Sequence, residues 1–330
     1  MVSLSVVIPV YRGALTISEL VASLAEELPM IADDYEVLLV EDDGGDNSWD
    51  VIETLSAEYE FLRGVKLMRN SGQHAALLCG IRLAEYEIVV TMDDDMQHPA
   101  SEIKKLLTKL AEGYDVVYGT PEAKQHESGR NLGSSLVRLA LANAMGVNVA
   151  RYASAFRAFR THLRDAFSNY SSPYVSIDVL LSWGTNRFAH TYVRHEPRKV
   201  GESGYTFIKL ASLAITMLTG FSVIPLRLAS YLGFGLTIFG IILFIYIVPI
   251  RLLILNQSGV PGFTFLASMI SIFSGTQMFT IGIIGEYLAR MHFRLMDKPA
   301  YTIAQDTTTM HTQPVNSVHL EQTARTFDEN

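Results

Sequence analysis

Cysteine is nearly absent from this chain. Cys79 is the one thiol in 330 residues, which rules out an intrachain disulfide and a cysteine-clustered zinc site and fits a reducing compartment. It lies in an apolar stretch of helical pattern and reads as a small core residue, not a nucleophile. Basic charge is short as well: 26 Lys and Arg against 34 Asp and Glu leave a formal net charge of -8. No basic stripe interleaved with aromatics is present, so a general nucleic-acid binder, which needs a basic face for phosphates, is excluded. A basic leader is also missing ahead of "LSVVIPVY", a run too short for a signal core and β-branched enough to read as a strand. There is no internal repeat.

From residue 4 to about 119, five apolar runs alternate with amphipathic ones: "LSVVIPV", "YEVLLVE", "GVKLMR", "EIVVTM" and "DVVYGT". Helical patterns fall between them near 15–28, 48–59, 73–84 and 100–111. Such alternation predicts βαβ units and a parallel sheet covered on both faces. Ligands bind at the carboxyl ends of strands in sheets of this kind. Asp42 follows the second run, and Asp93, Asp94 and Asp95 follow the fourth. Both acidic groups therefore belong on one edge, where three adjacent carboxylates require solvent, a basic partner or a metal cation. Between residues 120 and 200 arginines accumulate, opposite in sign to that edge.

Charge then disappears. No charged side chain occurs in the 23 residues from Leu228 to Ile250, nor in the 34 from Leu252 to Gly285, which "NQSGVPG" interrupts. A bilayer core about 30 Å thick needs about 20 apolar residues, so two spanning helices, near 228–250 and 263–285, are predicted within 228–288. A buried hairpin in a soluble protein is disfavoured, because nothing else here is large enough to wrap two such helices. Lys209, Arg227, Arg290, Arg294 and Lys298 flank the outer ends of the hairpin, against Arg251 alone near its turn. The positive-inside rule thus predicts a multi-pass protein of the inner (cytoplasmic) membrane with its N-terminal domain and both termini in the cytoplasm. Within 205–227, Phe207, Leu210, Ala214, Met217, Leu218 and Phe221 recur at helical spacing. This segment reads as an amphipathic interfacial helix, with a packed domain helix as the alternative. Residues 289–330 are read as a cytoplasmic juxtamembrane segment and, after Tyr301, a Thr-rich disordered tail.

"VVIPVY", "LLVEDDGGDNS", "TMDDDMQHP" and "FRAFR" resemble, in order and spacing, the inverting GT-A glycosyltransferases, and within them the polyprenyl-phosphate glycosyltransferases. "NSGQHAALLCGI", "GESGYTF" and "IGEYLAR" extend the resemblance over roughly residues 3–300. It implies a Rossmann-like, mostly parallel GT-A domain over residues 1–204, the interfacial helix and the transmembrane hairpin. It also implies transfer of a sugar from a nucleotide donor, most simply UDP-linked, to a polyprenyl phosphate such as undecaprenyl phosphate. Asp93 and Asp95 match the family's DxD, holding Mg²⁺ or Mn²⁺ with Gln97 assisting. Asp42 matches the carboxylate that meets the nucleotide base, Pro9 and Tyr11 frame the same pocket, and Asn70 and His74 lie near the donor. For Asn70 a capping role competes, and His74 has a structural alternative. Asp94 is placed with the donor-binding group, yet relatives often carry a small residue there. Strand alternation turns it elsewhere, and it is expected to tolerate substitution. Arg130, Arg157 and Arg198 match basic positions suited to gripping the acceptor phosphate, with Arg138 a weaker match. The lipid phosphate is already largely ionised, so it needs aiming more than a strong general base. Arg160, Arg164 and Arg187 are assigned to the surface or to carboxylate pairs. Relatives imply a homo-oligomer.

Three departures stand out. The usual Asn-Glu after the first-strand Tyr is Arg12-Gly13, the acidic residue before the "FR" motif is missing from "RYASAFR", and the lysine expected after "GES" is Gly204. These motivate one rival, a non-catalytic sugar-nucleotide-binding membrane partner. A processive polysaccharide synthase is the other rival, and no "QxxRW"-like signature supports it.

Overall fold

The computed structural model describes residues 2–121, 152–172, 174–197, 224–249, 262–296 and 298–308. The first five strands are β1 (Ser3–Val10), β2 (Asp34–Glu41), β3 (Leu62–Leu67), β4 (Ile88–Thr91) and β5 (Val116–Pro121). Alternating with them are α1 (Ile17–Glu27), α2 (Ser48–Glu58), α3 (Gln73–Leu83) and α4 (Ile103–Ala111), the last entered through a 3-10 turn, Ala100–Glu102. Each matches a predicted element. Period-two burial drives the layering: Leu4, Val6, Ile8 and Val10 face α1, α2 and α4 in one core. On the opposite face α3 lies so close to the sheet that a Cβ on Gly80 would meet Val7 Cγ1 at 2.4 Å, which explains a glycine inside that helix.

β6 (Arg157–Arg160), α5 (Ile177–Gly184) and β7 (Phe188–Val193) complete the central part. The eight-stranded sheet runs β7-β5-β6-β4-β1-β2-β3-β8, where β8 is Ile303–Asp306. Four neighbouring pairs are parallel, and three, those involving β6 and β8, are antiparallel. The sheet is therefore mixed. "FRAFR" supplies β6, whose buried Ala158 and Phe159 separate β4 from β5.

The expectation of disorder after Tyr301 is corrected up to residue 308 by β8, which pairs with β3; the remainder of that segment, 309–330, lies outside the described residues. Arg63 grips Asp306 through two bonds of 3.2 and 2.7 Å, and Thr307 Oγ1 accepts the Gly64 N–H at 3.0 Å. A polar four-residue strand has too little hydrophobic pattern to be read locally, and its partner lies more than 200 residues away.

The described residues fall into two compact units, one within Met1–Gly129, Met145–Gly204 and Pro299–Asn330, the other within Tyr205–Lys298. The second holds α6 (Ile224–Pro249) and α7 (Phe263–Leu295), 26 and 33 residues long, in the places predicted for the hairpin. Large apolar side chains point outward along both, among them Phe234, Phe239 and Ile242 on α6 and Ile272, Phe279 and Ile284 on α7. Among the described residues no helix is long and apolar enough to cross a membrane. The interfacial helix predicted for 205–227 lies outside the described residues up to 223, and its last four belong to α6.

Candidate active site

The neighbouring strands β4, β1, β2 and β3 run parallel, so their carboxyl ends share one edge of the sheet. Residues at and beyond these ends line a cavity of about 250 Å³: Pro9, Val10 and Tyr11; Asp42; Asn70 and Gln73; and Asp93, Asp94 and Asp95. The backbone turns sharply after three of them. Arg12, Asp43 and Met96 follow Tyr11, Asp42 and Asp95 with φ of 56°, 48° and 61°. A left-handed non-glycine residue costs on the order of 1 kcal/mol, and such residues gather at functional sites.

Asp42 is buried, and its two oxygens accept the N–H groups of Ser71 (2.7 Å) and Gly72 (2.8 Å). Burial raises its pKa, with the two amide bonds opposing. Each oxygen keeps a second lone pair for a ligand. Next to it Glu41 is buried and accepts the Gly44 N–H at 2.7 Å, while Asp43 is the solvated member of the group. Asn70 lines the cavity, and the N-cap of α3 is Gly72, so Asn70 does not cap that helix.

Asp93 accepts from Gln73 Nε2 at 2.6 Å, and Asp95 from the Gln97 N–H at 3.1 Å. Gln97 reaches Asp95 through its backbone and is not part of the cavity wall. Asp94 departs from expectation, because it lines the same cavity instead of turning away. β4 ends at Thr91, so strand alternation does not extend to residue 94. Its Oδ2 accepts the Tyr11 N–H at 3.4 Å and sits 2.4 Å from where a Cβ on Gly13 would be. Burial, reinforced by the charges of Asp93 and Asp95, pushes its carboxyl up to about 7.

Arg157 is not at the cavity. It is 2% exposed and pairs with Asp178 at 2.5 Å. The Tyr118 hydroxyl donates to the same oxygen at 2.9 Å, and the guanidinium lies 5.8 Å from the Tyr118 ring centroid. His74 adjoins this cluster, its Nδ1 accepting the Ile177 N–H at 3.4 Å. Burial holds its pKa below the ordinary value, with Asp178 opposing and Arg157 assisting. The carboxylate pairing assigned to other arginines thus also holds for Arg157. Arg160 pairs with Glu87 at 2.7 Å, Arg187 approaches Asp115 at 3.9 Å, and Arg164 donates to the carbonyls of Ala84 and Ile81. Arg130, Arg138, Arg151, Arg198, Lys199 and Gly204 lie outside the described residues. Asp178 and Tyr118 were not readable as partners, since nothing local links residues on β5, β6 and α5.

Among the described residues no three His, Cys, Asp or Glu groups come together as a cage for a metal ion. Two aspartates on one cavity wall, with a third carboxyl between them whose ionisation they oppose, fit a divalent ion completed by phosphate oxygens, which is how Mg²⁺ is usually held.

The profile of glycosyl transferase family 2 matches residues 5–169. An undecaprenyl-phosphate 4-deoxy-4-formamido-L-arabinose transferase of Shewanella sediminis (strain HAW-EB3) is 32% identical over 300 residues, covering 91% of each chain. Among solved structures, glucosyl-3-phosphoglycerate synthase from Mycobacterium tuberculosis in complex with phosphoglyceric acid is 18% identical, with a TM-score of 0.48 over 67% of this chain and 80% of that one. S. aureus TarS 1-349 in complex with UDP is 20% identical, with a TM-score of 0.43 over 70% and 71%.

Proposed function

The chain belongs to glycosyl transferase family 2 and is a glycosyltransferase, and from that premise we propose that it moves a sugar from a UDP-linked donor to undecaprenyl phosphate or a similar polyprenyl phosphate. The observation that carries this reading is the meeting of Asp42, Asn70 and the Asp93–Asp95 run in one cavity at the carboxyl edge of the sheet. The relative from Shewanella, which matches along 91% of both chains, supports the lipid phosphate as acceptor.

In this reading Asp42, Pro9 and Tyr11 hold the nucleoside and Asn70 stands on the donor side, while His74, which accepts the Ile177 N–H beside Asp178 and is not in the cavity wall, keeps its structural role. Asp93 and Asp95, with Gln97 nearby, would hold Mg²⁺ or Mn²⁺, which when bound supplies positive charge to the departing diphosphate. The acceptor phosphate oxygen attacks the anomeric carbon from the face opposite the leaving group, and configuration inverts in one displacement. Already ionised, that oxygen needs no strong base, so aiming by Arg130 and Arg198 is the chain's main contribution to the step. Arg157 serves from behind, as the buried partner of Asp178.

The domains are proposed as a catalytic part over 1–204 that also recruits β8, an interfacial segment over 205–227, and a membrane hairpin over 228–288. Chain path supports the hairpin. The described residues up to 197 and again from Pro299 belong to the first unit, so a segment between them that enters a membrane starts and finishes on the same side of it. Two crossings meet that condition and one does not. The outward apolar side chains of α6 and α7 agree.

The test is a panel of nucleotide sugars assayed for thermal stabilisation and for transfer to polyprenyl phosphate. One UDP-sugar should raise the melting temperature and yield a lipid-linked product. Stabilisation without product from any donor would contradict the proposed reaction.

A further inference from the structure

Three successive residues at the start of α3 join two strand ends that the sheet holds apart. β1 lies between β2 and β4, so the chain ends beyond those two strands begin two strand spacings, about 10 Å, from one another. Asp42 follows β2, and Ser71 and Gly72 give it their N–H groups at 2.7 and 2.8 Å. Gln73, the next residue and the first of α3, reaches instead to the chain beyond β4, donating from Nε2 to Asp93 Oδ1 at 2.6 Å. Asp42, Gln73 and Asp93 all line the cavity described above.

Gln73 is exposed, and a surface amide on a mobile stem would fix little, because ordering the stem offsets the bond it makes. Here the main chain on both sides of it is held. Before it, Gly72 takes a φ of 91°, a conformation open to glycine, and its N–H is spent on the buried Asp42. After it, Ala75, Ala76, Leu77 and Leu78 are buried against the sheet. The side chain of Gln73 therefore starts from a fixed point, and its amide fixes the Asp93 carboxylate in turn. The donor is neutral, so it orients that carboxylate without placing a positive charge where a cation would sit.

We propose that Gln73 is a positioning residue, which by holding the Asp93 carboxylate in the cavity raises the affinity of the site for the divalent ion that accompanies the donor diphosphate. The inference rests on the reading of Asp93 and Asp95 as metal ligands. Outer groups that orient a metal ligand contribute to metal affinity through the ligand they hold. The contact on the nucleoside side is different in kind, since Asp42 is held by the main-chain N–H groups of Ser71 and Gly72 and not by the Gln73 side chain. Removing the Gln73 amide therefore acts on the metal and spares the metal-free binding of the nucleotide.

Full-length protein in detergent micelles is titrated with UDP in the presence of a chelator, and with Mn²⁺ at saturating UDP, free Mn²⁺ being read by electron paramagnetic resonance. Gln73→Met keeps the length of the side chain and removes the donor. It is expected to raise the Mn²⁺ Kd by about fivefold to tenfold, the scale of a hydrogen bond to a charged group, with the UDP Kd in chelator unchanged within about twofold. In an Asp93→Asn background the same substitution should change the Mn²⁺ Kd by less than about twofold, since both residues act through one contact. Gln73→Ala, at the same exposed position, should repeat the loss of the Met variant. An unchanged Mn²⁺ Kd, or a UDP Kd in chelator raised as much as the Mn²⁺ Kd, would overturn the role of Gln73. A wild-type protein that binds UDP and no Mn²⁺ would instead contradict the metal reading itself, and the role of Gln73 with it.

Discussion

Asp95 and Gly13 are close to the same cavity and make different demands on a substitution. Asp95→Ala removes a proposed metal ligand, one that accepts the Gln97 N–H at 3.1 Å. It is expected to abolish lipid product, at least 100-fold and so about 3 kcal/mol of transition-state stabilisation, while the circular dichroism spectrum stays that of the wild type. Gly13→Ala acts by volume, because the new Cβ would lie 2.4 Å from Asp94 Oδ2 and 3.1 Å from Val10 Cγ1. Overpacking of this kind costs about 1–3 kcal/mol. Adding Asp94→Ala should recover most of it in thermal melts of the single and double variants, as expected of residues in contact. An equal loss in the double variant would contradict the contact. Both positions were legible as departures from the resemblance, a carboxylate missing at residue 13 and one gained at residue 94. Their being two sides of one contact was not, because it depends on how the turns after β1 and β4 face each other. Arg157 shows the converse limit, since its residue type matches a phosphate-gripping role that its burial against Asp178 does not display.

Among the elements, β8 offers the sharpest test. Burial raises the Asp306 carboxyl, but the Arg63 hydrogen bonds and the Thr308 N–H more than offset this and hold it below the ordinary 3.8. A depressed carboxylate contributes stability that is present above its unfolded value and lost as pH falls through its folded value. Asp306→Asn is therefore expected to lower the melting temperature at pH 7, by the equivalent of about 1 kcal/mol for a partly buried charged pair. The gap to wild type should close as pH drops below 3.8, and a gap independent of pH would contradict the pairing. The elements from β1 to β5 were readable because strand and helix patterns alternate regularly along one stretch of chain, so that even the four-residue β4 is fixed by its place between two helical patterns. β6 and β8 have four residues apiece. Their identity comes from the strands they join, information that no local window contains, and both bring the antiparallel pairings that make the sheet mixed.

In the whole molecule, a donor cavity built on a sheet edge is proposed to serve an acceptor that lives in a membrane. Cavity and family were legible from ordered motifs, because ligand chemistry demands particular side chains at strand ends. The acceptor side was less so, since Arg130 and Arg198 are assigned by resemblance alone and lie outside the described residues. The most direct measurement is transfer of labelled sugar from a UDP donor to undecaprenyl phosphate in mixed micelles, with Mg²⁺ or Mn²⁺ and with the ions chelated. A lipid-linked product of inverted anomeric configuration is expected, lost on chelation and restored by either ion. No lipid-linked product with any donor and either ion, or a yield unaffected by chelation, would contradict it.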